Sequence, residues 1–191
     1  MSAPAITRRA YIGLGANQGE PEQTLDAALA ALRGLERSQL VACSPRYKTA
    51  PIDAPGPDYL NAVVAIDTAL DPYGLLLHLL DLEIMLGRKR RGEKKNAPRK
   101  ADLDLLLLGD LLMHSTPLTL PHPRLHQRAF ALRPLLDLDP AIIIPALGPA
   151  QALLDALPGQ KIERVADRAS DGAVGGNVSG DSAGASGDGA S

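Results

Sequence analysis

Two aspartates separated by one residue, Asp102 and Asp104, stand between a basic residue, Arg99, and an unbroken run of leucines at 105–108. On a strand, alternate side chains share a face, so the two carboxylates project together about 6.5–7 Å apart. Leucine at every following position is the pattern of a strand covered on both faces, which makes the support for the pair rigid. Hard oxygen ligands so placed suit Mg²⁺, which takes one or two carboxylates and leaves its other positions to water and phosphate oxygens. Directly upstream, residues 88–100 carry eight basic side chains and one acidic one. Guanidinium and ammonium groups of that kind neutralise a polyphosphate next to a bound cation. Each feature taken alone has a plainer reading: the acid pair as a solvated strand end, the basic run as a solvated face or a nonspecific nucleic-acid surface. Side by side they complement each other, and a phosphate-handling site is the expectation.

A second group of residues suits a flat ring. Tyr59 and Asn61 share a face of the strand predicted over 59–68, an aromatic plate beside an amide, and Val63 and Ala65 follow on that face. Phe130 is the only phenylalanine in the chain, and Arg128 precedes it by two residues. His122 and His126 are four apart, but Pro123 makes a shared helical face and a zinc site between them a poor reading. The turn at 15–19, Gly-Ala-Asn-Gln-Gly, lacks both the Gly-x-Gly-x-x-Gly and the Gly-Lys-Ser/Thr spacing of phosphate loops.

These residues need elements to hold them. A strand is predicted over 11–14 and a helix from Pro21, whose apolar positions 25, 28, 29, 32 and 35 recur at helical spacing up to Gly34. A strand follows at 40–43. Prolines 45, 51, 55 and 57 make 44–57 a stiff surface loop suited to binding. After the 59–68 strand, Asp71-Pro72 starts a second helix, apolar over 75–86 and closed by Gly87. Beyond the leucine strand come short apolar stretches at 111–113, 118–120 and 142–144, and helices at 129–136 and 151–157.

The chain of 191 residues has room for one domain with a buried core, packed by aliphatic residues because it holds no Trp and one Phe. Its single cysteine, Cys43, excludes an internal disulfide and is expected to be a small buried hydrophobe. No stretch reaches the length of a membrane span, and the start of the chain lacks the apolar core of a signal peptide. A cytoplasmic protein is expected. Residues 169–191 hold seven Gly, five Ala, five Ser and three Asp, with two Val as their only apolar residues larger than Ala. That composition cannot recover its ordering entropy by burial, so the domain is placed at 1–168 and a disordered tail at 169–191. Without the tail's three aspartates the net charge of −2 becomes +1.

In order and spacing, Gly13-Leu14-Gly15-Ala16-Asn17, Tyr47-Lys48-Thr49-Ala50-Pro51, Asp58-Tyr59-Leu60-Asn61, Ala97-Pro98-Arg99-Lys100-Ala101-Asp102-Leu103-Asp104 and Pro121-His122 with Arg128-Ala129-Phe130 resemble the 6-hydroxymethyl-7,8-dihydropterin pyrophosphokinases. Those enzymes of folate biosynthesis move the β,γ-diphosphate of ATP to a pterin hydroxymethyl group. The resemblance runs from about residue 11 to 145 and implies an α+β, ferredoxin-like sandwich, an antiparallel sheet with helices packed on its faces. It implies two Mg²⁺ ions on Asp102 and Asp104, with Arg88 and Arg99 stabilising the transferred group and His122 and Arg128 as further ATP contacts. The pterin would lie between Tyr59 and Phe130, held by Asn61, with Thr49, Ala50 and Ile52 at the rim. Small-molecule substrates, a monomer, and no nucleic-acid or membrane partner are the corresponding expectations. The chain departs from the family's pattern at Asn96-Ala97, where Trp-Gly is frequent, at Pro123, where Tyr is, and at Asp53, where Gly is.

Two other classes fit parts of this pattern. A Mg²⁺-dependent nucleotidyltransferase also sets two aspartates on a strand, and an RNA-binding module would use residues 88–100, although that run has no aromatic residue for base stacking. A chain ending at Arg168 is expected to keep both its melting temperature and its turnover. A fall of several degrees, or a severalfold loss of rate, would mean that the tail docks.

Overall fold

The computed structural model describes residues 7–51, 56–87, 100–157 and 159–166. Ile52, Arg88, Arg99, Asp53, Asn96 and the 169–191 tail lie outside the described residues. Most of the described residues are built on one antiparallel sheet, which has six strands among them. They are β1 (Arg8–Ala16), β2 (Ser38–Cys43), β3 (Tyr47–Thr49), β4 (Tyr59–Thr68), β5 (Asp102–Leu108) and β10 (Ile162–Arg164). The order is β10-β3-β4-β1-β5, and β2 pairs with β4 beside β3. Two small hairpins, β6 (Met113–His114) with β7 (Thr119–Leu120) and β8 (Ile143–Ile144) with β9 (Gly148–Pro149), complete the strands.

Period-two alternation divides each central strand between two cores. Ile12 and Leu14 of β1, Val64 and Ile66 of β4, and Leu103 and Leu105 of β5 face one side. There they meet α1 (Pro21–Arg33) through Leu25 and Leu32, and α2 (Pro72–Met85) through Leu75 and Leu79. Tyr11, Val63, Ala65 and Leu107 face the other side, under α3 (Ala129–Leu138), whose Leu132 and Leu135 are fully buried. A last helix, α4 (Ala150–Asp155), adds Ala150 to this second core. The result is a mixed α+β architecture with helices on both faces of the sheet.

The helix ends follow their residues. Pro21 opens α1, and Asp71 caps α2 by accepting the Tyr73 and Gly74 N–H groups at 3.0 and 3.1 Å. Gly87 follows α2 at φ 91°, a backbone that favours glycine. Pro134 lies within α3, which extends to Leu138, two residues beyond the predicted end. The buried Glu83 of α2 accepts the Leu103 N–H at 2.8 Å, tying the helix to the strand position between the two aspartates.

Four expectations need correction. Within the proline-rich loop, Tyr47–Thr49 form a strand, because the prolines flank this segment and leave its N–H groups free to pair with β4. β1 runs on to Ala16, so Gly15 is a strand residue; pairing with β4 and β5 on its two sides overrides glycine's preference for a turn. Cys43 is exposed at the end of β2, a strand without a fully buried residue. β10, which carries no sequence signal, joins the sheet through β3.

β1 and β5 shift register between Tyr11 and Ile12, leaving Leu106 without a partner on β1. Leu106 and Leu107 therefore both join the second core, while Leu105 and Leu108 join the first. Burial on both faces predicts that Leu105→Ala and Leu106→Ala each lower stability by about 2–5 kcal/mol. Chemical denaturation would measure it; a strand wetted on one face would show a large loss for only one of the two.

Candidate active site

The second face of the sheet is covered by α3 over only part of its length. Beyond the helix the same face continues through Gly13 and Gly15 of β1, Tyr59 and Asn61 of β4, and Asp102 and Asp104 of β5, and these line a cavity of about 250 Å³. Gly13 lies opposite Asp104 and Gly15 opposite Asp102, so the strand next to the acid pair presents hydrogen atoms in place of side chains. A Cβ on Gly15 would come within 3.3 Å of the Asn61 Oδ1 and 3.9 Å of the Asp102 Cβ. Glycine there keeps the floor open.

One wall comes from β3 and its exit, through Thr49, Ala50 and Pro51. The buried Asn61 donates from Nδ2 to Thr49 Oγ1 at 2.9 Å, which sets the amide plane and leaves its other polar positions for a ligand. Ser44 supports this region at the junction between β2 and β3. Its N–H donates to the Val63 carbonyl and its Oγ accepts the Val63 N–H, both at 2.9 Å. The facing wall is the entry to α3: Arg124, Gln127, Arg128 and Phe130.

Arg128 donates from Nη1 to Asp104 Oδ2 at 3.0 Å, and its guanidinium carbon lies 5.5 Å from the centre of the Phe130 ring. His122 approaches the same carboxylate, Nε2 to Oδ2 at 3.9 Å. The Arg124 N–H donates to its Nδ1 at 3.1 Å, so in the neutral ring the proton sits on Nε2, facing Asp104. Burial pushes the imidazole pKa down, against the upward pull of Asp104 and with the added repulsion of Arg128 and Arg124. The segment is anchored by the His122 N–H on the Leu106 carbonyl, at 2.9 Å. The residue left unpaired at the register shift therefore holds His122.

Of the residues singled out from the sequence, Thr49, Ala50, Tyr59, Asn61, Asp102, Asp104, Arg128 and Phe130 all line this one cavity, and His122 stands behind Asp104. Of the basic run at 88–100, on which the RNA-binding alternative depends, residues 88–99 are outside the described residues. Arg124 and Gln127 are lining residues that sequence reasoning missed. Nothing in their types or spacing marks them, since they reach the cavity through the 3₁₀ turn at Leu125–Gln127. Gly13 and Gly15 did carry a signal, two glycines at strand spacing on one face.

The model of the 7,8-dihydro-6-hydroxymethylpterin-pyrophosphokinase (HPPK) family matches residues 11–140. The chain belongs to this family. The 2-amino-4-hydroxy-6-hydroxymethyldihydropteridine pyrophosphokinase of Pseudomonas aeruginosa is 40% identical over 161 residues, 84% of this chain and 98% of that protein. The protein of the same name from Methylorubrum extorquens is 39% identical over 158 residues, 82% of this chain and 98% of its own length. Among solved structures, a Plasmodium falciparum HPPK-DHPS chain with SDX-DHP superposes with a TM-score of 0.64 at 15% identity, over 81% of this chain and 46% of that one. This last likeness concerns the fold alone, and the chain spans less than half of that longer protein.

The close approach at Gly15 separates it from its neighbour on the same face. Gly15→Ala is expected to push on the Asn61 amide and cost about 1–3 kcal/mol. At Gly13 a Cβ would meet only the Leu106 side chain at 3.5 Å, an ordinary contact, so Gly13→Ala should be neutral or stabilising by up to about 1 kcal/mol. Thermal denaturation of the two variants checks this; equal losses would remove the special role of the Gly15 floor.

Proposed function

We propose that this chain transfers the β,γ-diphosphate of ATP to 6-hydroxymethyl-7,8-dihydropterin, a step of folate biosynthesis, releasing AMP. The observation that carries the reading is the convergence on one cavity of an acid pair, a paired arginine, an oriented amide and two aromatic rings. In the transfer, the hydroxymethyl oxygen bonds to the β-phosphorus and gives up its proton. The bond from that phosphorus to the oxygen bridging to the α-phosphate breaks, and AMP leaves with the bridging oxygen.

Such chemistry asks the protein for positioning and charge compensation. Tyr59 and Phe130 supply rings for a flat heterocycle, Asn61 supplies donor and acceptor positions at its edge, and Thr49 and Ala50 line the rim, to which Ile52 is assigned by the family resemblance. Arg128 and His122 supply cationic and N–H contacts to phosphate oxygens, and Arg88 and Arg99 are assigned to the transferred group. The donor set fits a hard divalent cation, because two carboxylates share one face beside a glycine floor. Asp102 and Asp104 would hold Mg²⁺, as two ions, and the metal would supply neutralisation of phosphate charge. Among the described residues no group of three or more His, Cys, Asp or Glu forms an alternative metal site.

The finer fold reading is ferredoxin-like. The order β1, α1, β2, β4, α2, β5 with the strand sequence β2-β4-β1-β5 supports it. Among the described residues no helix is long and apolar enough to cross a membrane. We place the activity in the cytoplasm, in keeping with the single cysteine, and in a monomer.

AMP release from Mg·ATP, with and without the hydroxymethyl-dihydropterin, tests the reaction. Formation only with the pterin supports it, whereas release of free diphosphate with the AMP moiety carried onto an acceptor would point to a nucleotidyltransferase. In the same assay Asp102→Asn and Asp104→Asn are each expected to lower turnover a hundredfold or more, because each removes a cation ligand worth several kcal/mol in the transition state. The thermal shift induced by Mg·ATP should shrink in both variants. Full turnover together with a full shift would return the pair to a solvated strand end.

A further inference from the structure

Gln160 lies between α4 and β10, beyond the 11–140 stretch that matches the family. Its side chain makes two bonds to the turn before α3. Oε1 accepts the Ala129 N–H at 3.0 Å, and Nε2 donates to the Gln127 carbonyl at 2.9 Å. The two partners flank Arg128 on either side, so a single amide fixes both peptide units that lead into and out of it.

α3 needs this help. The first N–H groups of a helix have no partner within it, and Arg128, at the capping position, makes no side-chain cap bond. Its guanidinium is committed elsewhere, to Asp104 and the face of Phe130. The rest of α3 is held by Leu132 and Leu135, which are fully buried against the sheet. Loss of the Gln160 bonds, one partly buried and one exposed, therefore loosens the first turn, where Arg128 and Phe130 sit, more than it destabilises the domain. Two residues later the same segment pairs with the opposite wall, Ile162 with Thr49 and Arg164 with Tyr47. Residues 160–164 thus span from the Arg128 wall to the Thr49 wall.

We propose that Gln160 is a positioning residue for the diphosphate transfer, holding the backbone on both sides of Arg128 so that its guanidinium stays aimed at Asp104 and the phosphate site. The inference rests on the reaction proposed above. The test uses the full chain, with AMP formation from Mg·ATP and hydroxymethyl-dihydropterin as readout, and places Gln160→Ala in the parent and in an Arg128→Ala background. Alone, Gln160→Ala is expected to lower kcat/KM for Mg·ATP five- to twentyfold, with a melting shift of no more than a few degrees. On top of Arg128→Ala it should change kcat/KM less than twofold, because the group it positions is gone. Gln160→Glu keeps the acceptor for Ala129 but sets a carboxylate oxygen against the Gln127 carbonyl in place of the donor, so it should lose at least as much as Gln160→Ala; should Gln160→Ala not fold, it takes that variant's place in the comparison. A parent-background value within twofold of the parent, or an equal loss in both backgrounds, overturns the inference while leaving the reaction standing. A parent chain with no pterin-dependent AMP formation overturns both.

Discussion

The pairing of β1 with both β4 and β5 is the constraint on which the rest depends. Because side chains alternate along each of the three strands, one register decides which residues enter the aliphatic core against α1 and α2 and which face the other side. A slip of one residue would bury Asp102 and Asp104 among leucines and turn Leu103 and Leu105 into the cavity. The hydrophobic free energy of that core therefore also orients the acid pair. Gly15 completes the arrangement from the neighbouring strand, where a Cβ would crowd the Asn61 amide and approach Asp102.

The electrostatic layout is assembled on this floor from three directions. Asp104 meets Arg128 from the start of α3 and His122 from the segment anchored on the Leu106 carbonyl, and Asp102 lies one pleat repeat away on the same strand. Phe130 and Arg128 are two residues apart at the helix entry, so the same turn brings both an aromatic ring and a cation to the cavity. That economy makes the conformation of one turn, 127–130, matter to two parts of the site at once. A turn at a helix start is among the less stable parts of a fold, and bonds from outside the helix, such as those of Gln160, bear on it directly.

The polar atoms buried around the cavity are matched with care. Asn61 donates to Thr49, Ser44 answers both backbone groups of Val63 where β2 gives way to β3, and Glu83 takes the Leu103 N–H on the outer edge of β5. Each would be costly to leave unpaired in a low-dielectric interior. Together they keep the strand ends that carry Tyr59, Asn61, Asp102 and Asp104 from fraying into the cavity.

Local pattern by itself determined the elements that carry the site. The apolar stretch within 59–68 and the leucine run after Asp104 specified β4 and β5, and strand geometry, which leaves only two faces to choose from, then set Tyr59 with Asn61 and Asp102 with Asp104 on one face each. Pro21, Asp71-Pro72 and Gly87 likewise marked helix ends through their own backbone chemistry. Tertiary structure alone decided which strands are neighbours, and hence that Gly15 in β1 lies opposite Asp102, 87 positions along the chain in β5. It also made strands of Tyr47–Thr49 and Ile162–Arg164, three-residue segments too short to announce themselves and ordered by the edge they pair with. Arg124, Gln127 and Gln160 belong to the same class. Their contributions depend on long-range contacts, and no periodicity in the chain encodes which distant backbone groups a loop side chain will meet.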